Sequence, residues 1–134
     1  MVEGFDEDST AEPLAFVAEG IRLFSIGHYF EAHDVWEELW QRLRGPDRLY
    51  LQGLIHIAVG AYHHANGNLR GARSQWGKAR RKIAPYPPCH WGIDTGDWMR
   101  FFEQVESRPE ISDLPGALRF ESARFPTDLS VAQA

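Results

Sequence analysis

The chain is poor in cysteine and in long apolar runs. Cys89 is the single cysteine, so no disulfide bond can form within the chain. One thiol is typical of a protein from a reducing compartment, and the sequence therefore predicts a cytoplasmic location. No stretch approaches the roughly 18 consecutive apolar residues of a membrane-spanning helix. The first ten residues are acidic, which is not the pattern of a secretory signal peptide.

The chain also has fewer basic residues than acidic ones. Lys and Arg total 14 against 19 Asp and Glu, which leaves a formal net charge of −5. This balance argues against nucleic acid or an anionic membrane as the main partner. The sequence contains no glycine-rich phosphate-binding loop, no nucleophile elbow and no cysteine-pair metal motif, so the enzyme classes that carry those motifs are not indicated.

What is present fits a helical domain. Apolar residues make up 43% of the 134 residues, enough for one buried core. Apolar positions recur at helical spacing and predict an all-α fold, a compact bundle of about five helices. The bundle is built from two helical hairpins plus a C-terminal helix and an extended tail. The predicted boundaries are a flexible acidic tail at 1–10, a helical domain at 11–107, and an extension at 108–134 that wraps the surface and ends in disorder.

Helix start signals stand at three places. The first helix is predicted to begin near Thr10, with Pro13 tolerated in its first turn. Asn68 is a favoured N-cap for the fourth helix, which is predicted over 69–84. Asp94 is predicted to cap the fifth helix, with Asp97 three residues later as in a capping box. The second and third helices are predicted over 28–43 and 47–65, separated by Gly-Pro.

The chain repeats itself faintly at an offset of 40 residues. This echo predicts two related hairpins, although chance similarity between two amphipathic helices is the alternative. The second copy resembles a tetratricopeptide hairpin, but two units are too few for a free solenoid, which favours a closed bundle. Gly53 and Gly60 cost helix stability, so we expect a neighbouring backbone or a bulky Trp to approach them closely. The matched pairs include Val17 with Ile57, Gly20 with Gly60, Trp36 with Trp76, and Leu43 with Ile83.

Polar residues interrupt the apolar faces of the second and third helices. His33 and Glu37 are four residues apart and share one side of the second helix. Gln52, His56 and His63 form a polar line along the third helix. If the two helices pack antiparallel, the later part of the third helix, with His63 and also His56, approaches His33 and Glu37.

Three interpretations of this cluster remain open. His33, Glu37 and His63 are ligand types that bind a divalent first-row metal ion in helix bundles. Alternatively, His33 and Glu37 act as a catalytic acid–base pair in a pocket, because burial and a charged partner move both pKa values towards neutrality. In the third interpretation the cluster only holds the helices in register. The residues predicted to line a ligand pocket are Trp36, Trp40, Gln52, His56 and Tyr62.

A different class of function follows from the hairpins. Tetratricopeptide-like hairpins favour a protein-interaction module or a homodimer, in which case the polar network is purely structural. The fourth helix also carries a basic side that is either a solvated face or a patch for an anion or acidic partner. Its cations are Arg70, Arg73, Lys78, Arg80, Arg81 and Lys82.

The ordered motifs resemble a family of small helical proteins called "domain of unknown function 309". The resemblance covers about residues 20–105 and implies a compact all-helical fold without an established activity. It marks His33, Glu37, Trp40 and His63 as motif positions. This chain has Asp34 where the family has Glu, and His56 where it has Gln, so a family-wide metal site would not depend on His56. The motif residues are Gly27, Tyr29, Phe30, His33, Asp34, Glu37, Trp40, Gly53, Leu54, Ile55, His56, Tyr62, His63, Gly67, Asn68, Gly71, Ala72, Tyr86, Pro87, Gly92, Ile93 and Asp94.

Taken together, these patterns leave the function unknown. The favoured hypothesis is a helical protein that binds a small ligand or metal, with a hydrolase-like enzyme as one form of it. Its pocket would lie between the second and third helices. The interaction module is the alternative.

Overall fold

A computed structural model of the chain describes residues 5–108, 110 and 113–132. Within these residues the fold is mostly helical, which confirms the predicted all-α bundle. The helices are α1 (Phe5–Ser25), α2 (Tyr29–Arg42), α3 (Arg48–Ala65), α4 (Leu69–Ile83) and α5 (Gly96–Ser107). Short two-residue strands connect the segments outside the helices. They are β1 (Leu43–Arg44), β2 (Cys89–His90), β3 (Ile93–Asp94), β4 (Arg119–Phe120) and β5 (Ser130–Val131).

The first helix begins earlier than the sequence predicted. It starts at Phe5 rather than near Thr10, so Pro13 lies inside the helix and not in its first turn. A proline inside a helix removes one backbone hydrogen bond, but the helix can still extend on its N-terminal side. Pro13 was therefore a poor signal for the start of α1. Residues 5–10 of the predicted tail are thus in α1, and residues 1–4 lie outside the described residues.

The two predicted caps have different outcomes. Asn68 caps α4 as predicted, since its Oδ1 accepts a 2.9 Å hydrogen bond from the Gly71 N–H. Asp94 does not cap α5, because backbone pairing with Cys89 places it in β3 and the helix begins at Gly96. Its Oδ1 instead accepts a 2.9 Å bond from the Gly96 N–H, two residues on. That bond is an Asx turn, which a sequence pattern cannot distinguish from a cap.

The 40-residue echo corresponds to two hairpins that are closed in the same way. The Trp36 indole N–H donates to the Val17 carbonyl at 3.3 Å, from α2 to α1. The Trp76 indole N–H donates to the Ile57 carbonyl, also at 3.3 Å, from α4 to α3. Both bonds are buried and both span 19 residues. The repeat predicted from the sequence is therefore present in the packing of the two hairpins.

Glycines in α1 and α3 make room for the two indoles. A Cβ added at Gly20 would lie 1.9 Å from the indole nitrogen of the first hairpin. At Gly60 the corresponding distance to Trp76 is 2.3 Å. Gly53 makes room for Ile83 in the same way, since an added Cβ would lie 2.5 Å from the Ile83 side chain. The close approach of a tryptophan is thus observed at Gly60, whereas an isoleucine side chain, and not the expected backbone or tryptophan, approaches Gly53. Both contacts offset the weak helix propensity of glycine.

The turns of the two hairpins also match. Gly27 and Gly67 both have positive φ, at +87° and +77°, and end α1 and α3. The residue after each glycine donates a backbone hydrogen bond at 2.8 Å to the residue five positions earlier, a Schellman-type closure. These bonds join His28 to Leu23 and Asn68 to His63.

Helix α5 joins the two hairpins into one core. The Trp98 ring lies 5.5 Å from Phe24 of the first hairpin and 6.2 Å from Trp76 of the second. Phe102 lies 5.9 Å from Trp98 and is buried with it. The hairpins themselves meet along α2 and α3, which run antiparallel, as Phe30 early in α2 contacts Tyr62 late in α3.

The C-terminal segment returns across the bundle. Strand β4 extends the β2–β3 hairpin, and β5 pairs antiparallel with β1 at the end of α2. Leu118 and Phe125 of this segment are buried. In the described part of the chain, none of the helices has both the length and the apolar character needed to cross a membrane.

Candidate functional site

His33 is the centre of the predicted polar cluster and lies on α2 beside two carboxylates. Its Nε2 is 3.8 Å from Glu37 Oε2, and its Nδ1 is 3.3 Å from Asp34 Oδ1. Only 17% of the side chain is exposed. The Nδ1 atom is buried and has no hydrogen-bond partner among the described residues. The carboxylates flank the imidazole on both sides, yet neither closes a hydrogen bond with it.

An exposed aromatic pair borders His33. The Phe30 ring lies 5.3 Å from the His33 ring and 5.2 Å from the Tyr62 ring. Phe30 is 48% exposed and Tyr62 is 38% exposed. Phe30 belongs to the first hairpin and Tyr62 to the second, so the pair marks the seam between the two units on the molecular surface.

Two further apolar side chains lie at the same end of the bundle. Ile26 is in the α1–α2 turn and Leu69 begins α4, just after the α3–α4 turn. Both are exposed, at 55% and 40%. We call Ile26, Phe30, Tyr62 and Leu69 the apolar end. Leu49 is exposed as well, but it stands at the start of α3 and hence at the opposite end of the bundle.

Acidic residues continue from the apolar end along the outer face of α2. Glu31, Asp34 and Glu38 are exposed and are spaced three and four residues apart, so they lie on one side of the helix. The Glu37 side chain beside them is 47% exposed. We call these four residues the acidic stripe. It gives the surface next to Phe30 a negative potential.

The two tryptophans predicted as pocket walls have structural positions. Trp36 has no exposed surface and faces α1, so in this structure it cannot contact a ligand beside His33. Trp40 is half-buried under Arg48, whose guanidinium carbon is 3.7 Å from the ring centroid. The Arg48 Nε–H also donates to the Trp40 carbonyl at 3.1 Å. Trp40 and Arg48 thus fasten the α2–α3 turn.

His56 belongs to a different interface from His33. Its Nδ1 is 2.7 Å from Gln75 Oε1 of α4, so it lies inside the second hairpin and not between α2 and α3. Burial lowers the pKa of His56, and the nearby cations Lys82 and Lys78 lower it further against the effect of the Gln75 bond. The expectation that His56 approaches His33 is wrong, because its helical position faces α4. Gln52, one turn earlier, is half-buried on α3.

The His63 side chain contacts a residue of its own hairpin. Its Nδ1 lies 3.3 Å from the Asn68 side-chain nitrogen across the α3–α4 turn. Over residues 5–108, 110 and 113–132, no three His, Cys, Asp or Glu side chains gather closely enough to hold a metal ion. The structure therefore joins His33 with Glu37 but does not bring His63 to them as a third ligand. Metal binding at these three residues stays a prediction.

Sequence reasoning missed a second histidine–carboxylate pair. His90 Nε2 is 2.8 Å from Asp47 Oδ1, and both side chains are mostly buried. The ring packs edge-on against Tyr50 at 4.6 Å, and burial raises the pKa of the Tyr50 phenol. The neighbouring Trp91 has φ +60°, a left-handed conformation that is strained for an aromatic residue. The pair fastens the extended segment before α5 to the α2–α3 turn, and only its position after the prolines could have suggested this.

Comparison with known proteins supports the resemblance. Residues 17–75 match a family model described as "Domain of unknown function (DUF309)", which confirms the resemblance over the end of α1, all of α2 and α3, and the first half of α4. That segment contains His33, Glu37, Trp40 and His63. The motif residues Tyr86 to Asp94 lie beyond it, so the confirmed part is shorter than the expected 20–105.

Two curated relatives match parts of the chain. An "Uncharacterized protein" of Aquifex aeolicus is 25% identical over 93 residues, 69% of this chain and 28% of that protein. "Uncharacterized protein YpuF" of Bacillus subtilis is 34% identical over 62 residues, 46% of this chain and 36% of that protein. The chain spans about a third of the length of these relatives, and their names state no activity.

Proposed function

We propose that the chain is a protein-interaction module that binds a basic amphipathic segment at the apolar end and acidic stripe. The observation that carries the proposal is the exposed Phe30–Tyr62 pair at the seam between the hairpins. Large apolar side chains that are exposed together mark interaction surfaces more often than isolated ones do. Aromatic residues are also enriched at interfaces and among the few residues that dominate binding energy.

The charges beside the pair define the partner. Asp34 and Glu38 extend along α2 from Phe30 and favour lysine or arginine side chains. The faces of Phe30 and Tyr62 attract cations as well, through the aromatic quadrupole. A helix or extended segment with apolar anchors and flanking cations satisfies both parts of the surface.

The test uses a synthetic 15-residue helical peptide of Leu and Lys, labelled for fluorescence anisotropy. We expect saturable binding to the full chain, weakened about tenfold or more by Phe30→Ala or Tyr62→Ala, the effect of losing an aromatic anchor. Leu49→Ala is the matched control, since it removes an exposed apolar side chain at the other end of the bundle. The same peptide with Glu in place of Lys should not bind.

Two results count against this function. One is equal binding of the Leu–Lys and Leu–Glu peptides, which would show hydrophobic adhesion without charge selection. The other is unchanged affinity in Phe30→Ala and Tyr62→Ala, which would place the contact elsewhere on the molecule.

A second candidate function rests on the His33 imidazole. Its Nδ1 is buried without a hydrogen-bond partner among the described residues, and two carboxylates flank the ring. Such a group suits a small ligand or a divalent metal ion, with His33 and Glu37 as the acid–base pair. Elemental analysis and thermal melts with and without chelator test the metal form. Stoichiometric metal and a melt lowered by chelator support it, whereas a metal-free protein indifferent to chelator contradicts it.

A further inference from the structure

Helices α2 and α4 present equivalent outer faces with opposite charge. Because the hairpins repeat at an offset of 40 residues, each outward position of α2 has a counterpart on α4. Exposed pairs of this kind are Phe30 and Arg70, Asp34 and Ser74, Glu38 and Lys78, and Gln41 and Arg81. Of the acidic stripe, Glu38 stands opposite a cation at this offset, Lys78, while the counterparts of the other three residues are Gly71, Ser74 and Gly77. The other exposed cations of α4 stand within one turn of those positions.

The contrast between the two helices is large. The α4 sequence carries six cations and no carboxylate, in a chain whose formal net charge is −5. Among the described residues, Arg80 is the α4 cation with a carboxylate partner, Glu106 of α5. We call the remaining exposed cations Arg70, Arg73, Lys78 and Arg81 the basic stripe. Burial lowers the pKa of His56 on the neighbouring α3, and the α4 cations Lys82, Lys78 and Arg81 lower it further.

The start of α4 also carries an apolar anchor. Leu69 is 40% exposed and directly precedes Arg70. An exposed leucine followed by a row of cations on one helical face is the chemistry expected of a segment that fits the Phe30–Tyr62 pair and the acidic stripe. The chain therefore contains both the proposed docking surface and a segment that complements it.

We propose that the partner is a second copy of this chain, with the acidic stripe of one copy against the basic stripe of the other. This inference rests on the proposed function, because it names the occupant of the same surface. In a two-fold dimer each copy supplies both stripes, so the contact is made twice and the assembly closes. Arranging the two helices side by side and parallel places Glu38 opposite Lys78 and Phe30 opposite Arg70.

Sedimentation velocity of the full chain tests the dimer. We expect a dimer at about 0.05 M NaCl that dissociates towards monomer at about 0.5 M, since charge contacts are screened over a few ångströms at high salt. Glu38→Lys and Lys78→Glu should each weaken the dimer about tenfold or more, because each places like charges in contact. An equimolar mixture of the two variants should recover a dimer, since the mixed pair restores both contacts.

The control is Glu103→Lys, which makes the same charge change at an exposed position on α5. It should leave the dimer unchanged. A wild-type chain that is monomeric at low salt overturns the inference, as does a dimer that is indifferent to Glu38→Lys and Lys78→Glu, or variants that do not complement each other. If the chain is monomeric but still binds the Leu–Lys peptide through Phe30 and Tyr62, the proposed function stands and only its partner is wrong.

Discussion

The two hairpins share a buried tryptophan–glycine closure and differ on their surfaces. Each is closed by an indole that donates to a carbonyl 19 residues earlier and passes over a glycine. Outside this shared interior, α2 is acidic with an exposed Phe30, whereas α4 is basic and begins with an exposed Leu69. Packing at near-crystalline density restricts what a repeat can change inside, while the surface is free to diverge. The differences are therefore where function is to be sought.

The largest expected effect is loss of either closing tryptophan. Trp36→Ala and Trp76→Ala should each lower the free energy of unfolding by about 3–5 kcal/mol, through lost burial and an unfilled cavity. Urea denaturation followed by circular dichroism measures this. Phe30→Ala, an exposed aromatic, should cost about 0.5 kcal/mol or less. If only one of the two substitutions lowered the free energy of unfolding, the two hairpins would not be equivalent in their packing.

The glycines under the indoles come next. Gly20→Ala and Gly60→Ala should each destabilise the fold by about 1–3 kcal/mol, because the added Cβ overlaps a buried indole. Gly77→Ala is the matched control on α4, where the nearest foreign atom is Arg81 Nη1 at 3.6 Å. That variant should stabilise the protein by up to about 1 kcal/mol through helix propensity. Stabilisation by Gly60→Ala as well would contradict the close packing described for α3.

The helix caps differ between hairpins and offer a smaller test. Asn68 caps α4 through its side chain, whereas His28 occupies the same position before α2 without a side-chain bond. Asn68→Ala should therefore cost about 1 kcal/mol, and His28→Asn should gain up to about 1 kcal/mol by copying the better cap. Thermal melts of the two variants beside wild type measure both changes. A destabilising His28→Asn would show that the two turns are not interchangeable.

The smallest effect concerns pH and belongs to the second hairpin alone. His56 has a lowered pKa in the folded chain, so the unfolded chain binds its proton first as the pH falls. Its contribution to stability is present above about pH 6.5, the ordinary histidine value, and is lost as the pH falls through the lower folded pKa. The equivalent residue of the first hairpin is Phe16, which does not titrate. His56→Gln should flatten the decline in urea midpoint between neutral and acidic pH, and an unchanged decline would contradict the assignment.

Periodicity predicted most of the fold because it depends on buried side chains that recur along the helices. The repeat was visible in Gly20, Trp36, Gly60 and Trp76, whose roles are set by packing. The starts of α1 and α5 were missed, since Pro13 is compatible with a longer helix and an Asx turn resembles a cap.

The candidate site was only partly accessible to sequence reasoning. His33 and Glu37 were placed together by their four-residue spacing, and α2 and α3 are antiparallel as expected. Helix α2 has a wide apolar face, and the sequence of one helix does not specify which neighbour each part of that face contacts. The sequence therefore did not show whether Trp36 faces α1 or a pocket. His56 was assigned to the wrong interface for the same reason. The Phe30–Tyr62 contact joins residues from different hairpins, so no local pattern contains it.

The most direct test of the account is to map where the Leu–Lys peptide binds. In a titration of ¹⁵N-labelled protein followed by NMR, we expect the largest amide shifts at Phe30, Asp34 and Tyr62, around the apolar end and acidic stripe. Phe30→Ala should reduce those shifts without moving them. Shifts that instead cluster in the groove between α4 and α5, around Phe102 and Val105, would contradict the proposed interaction surface.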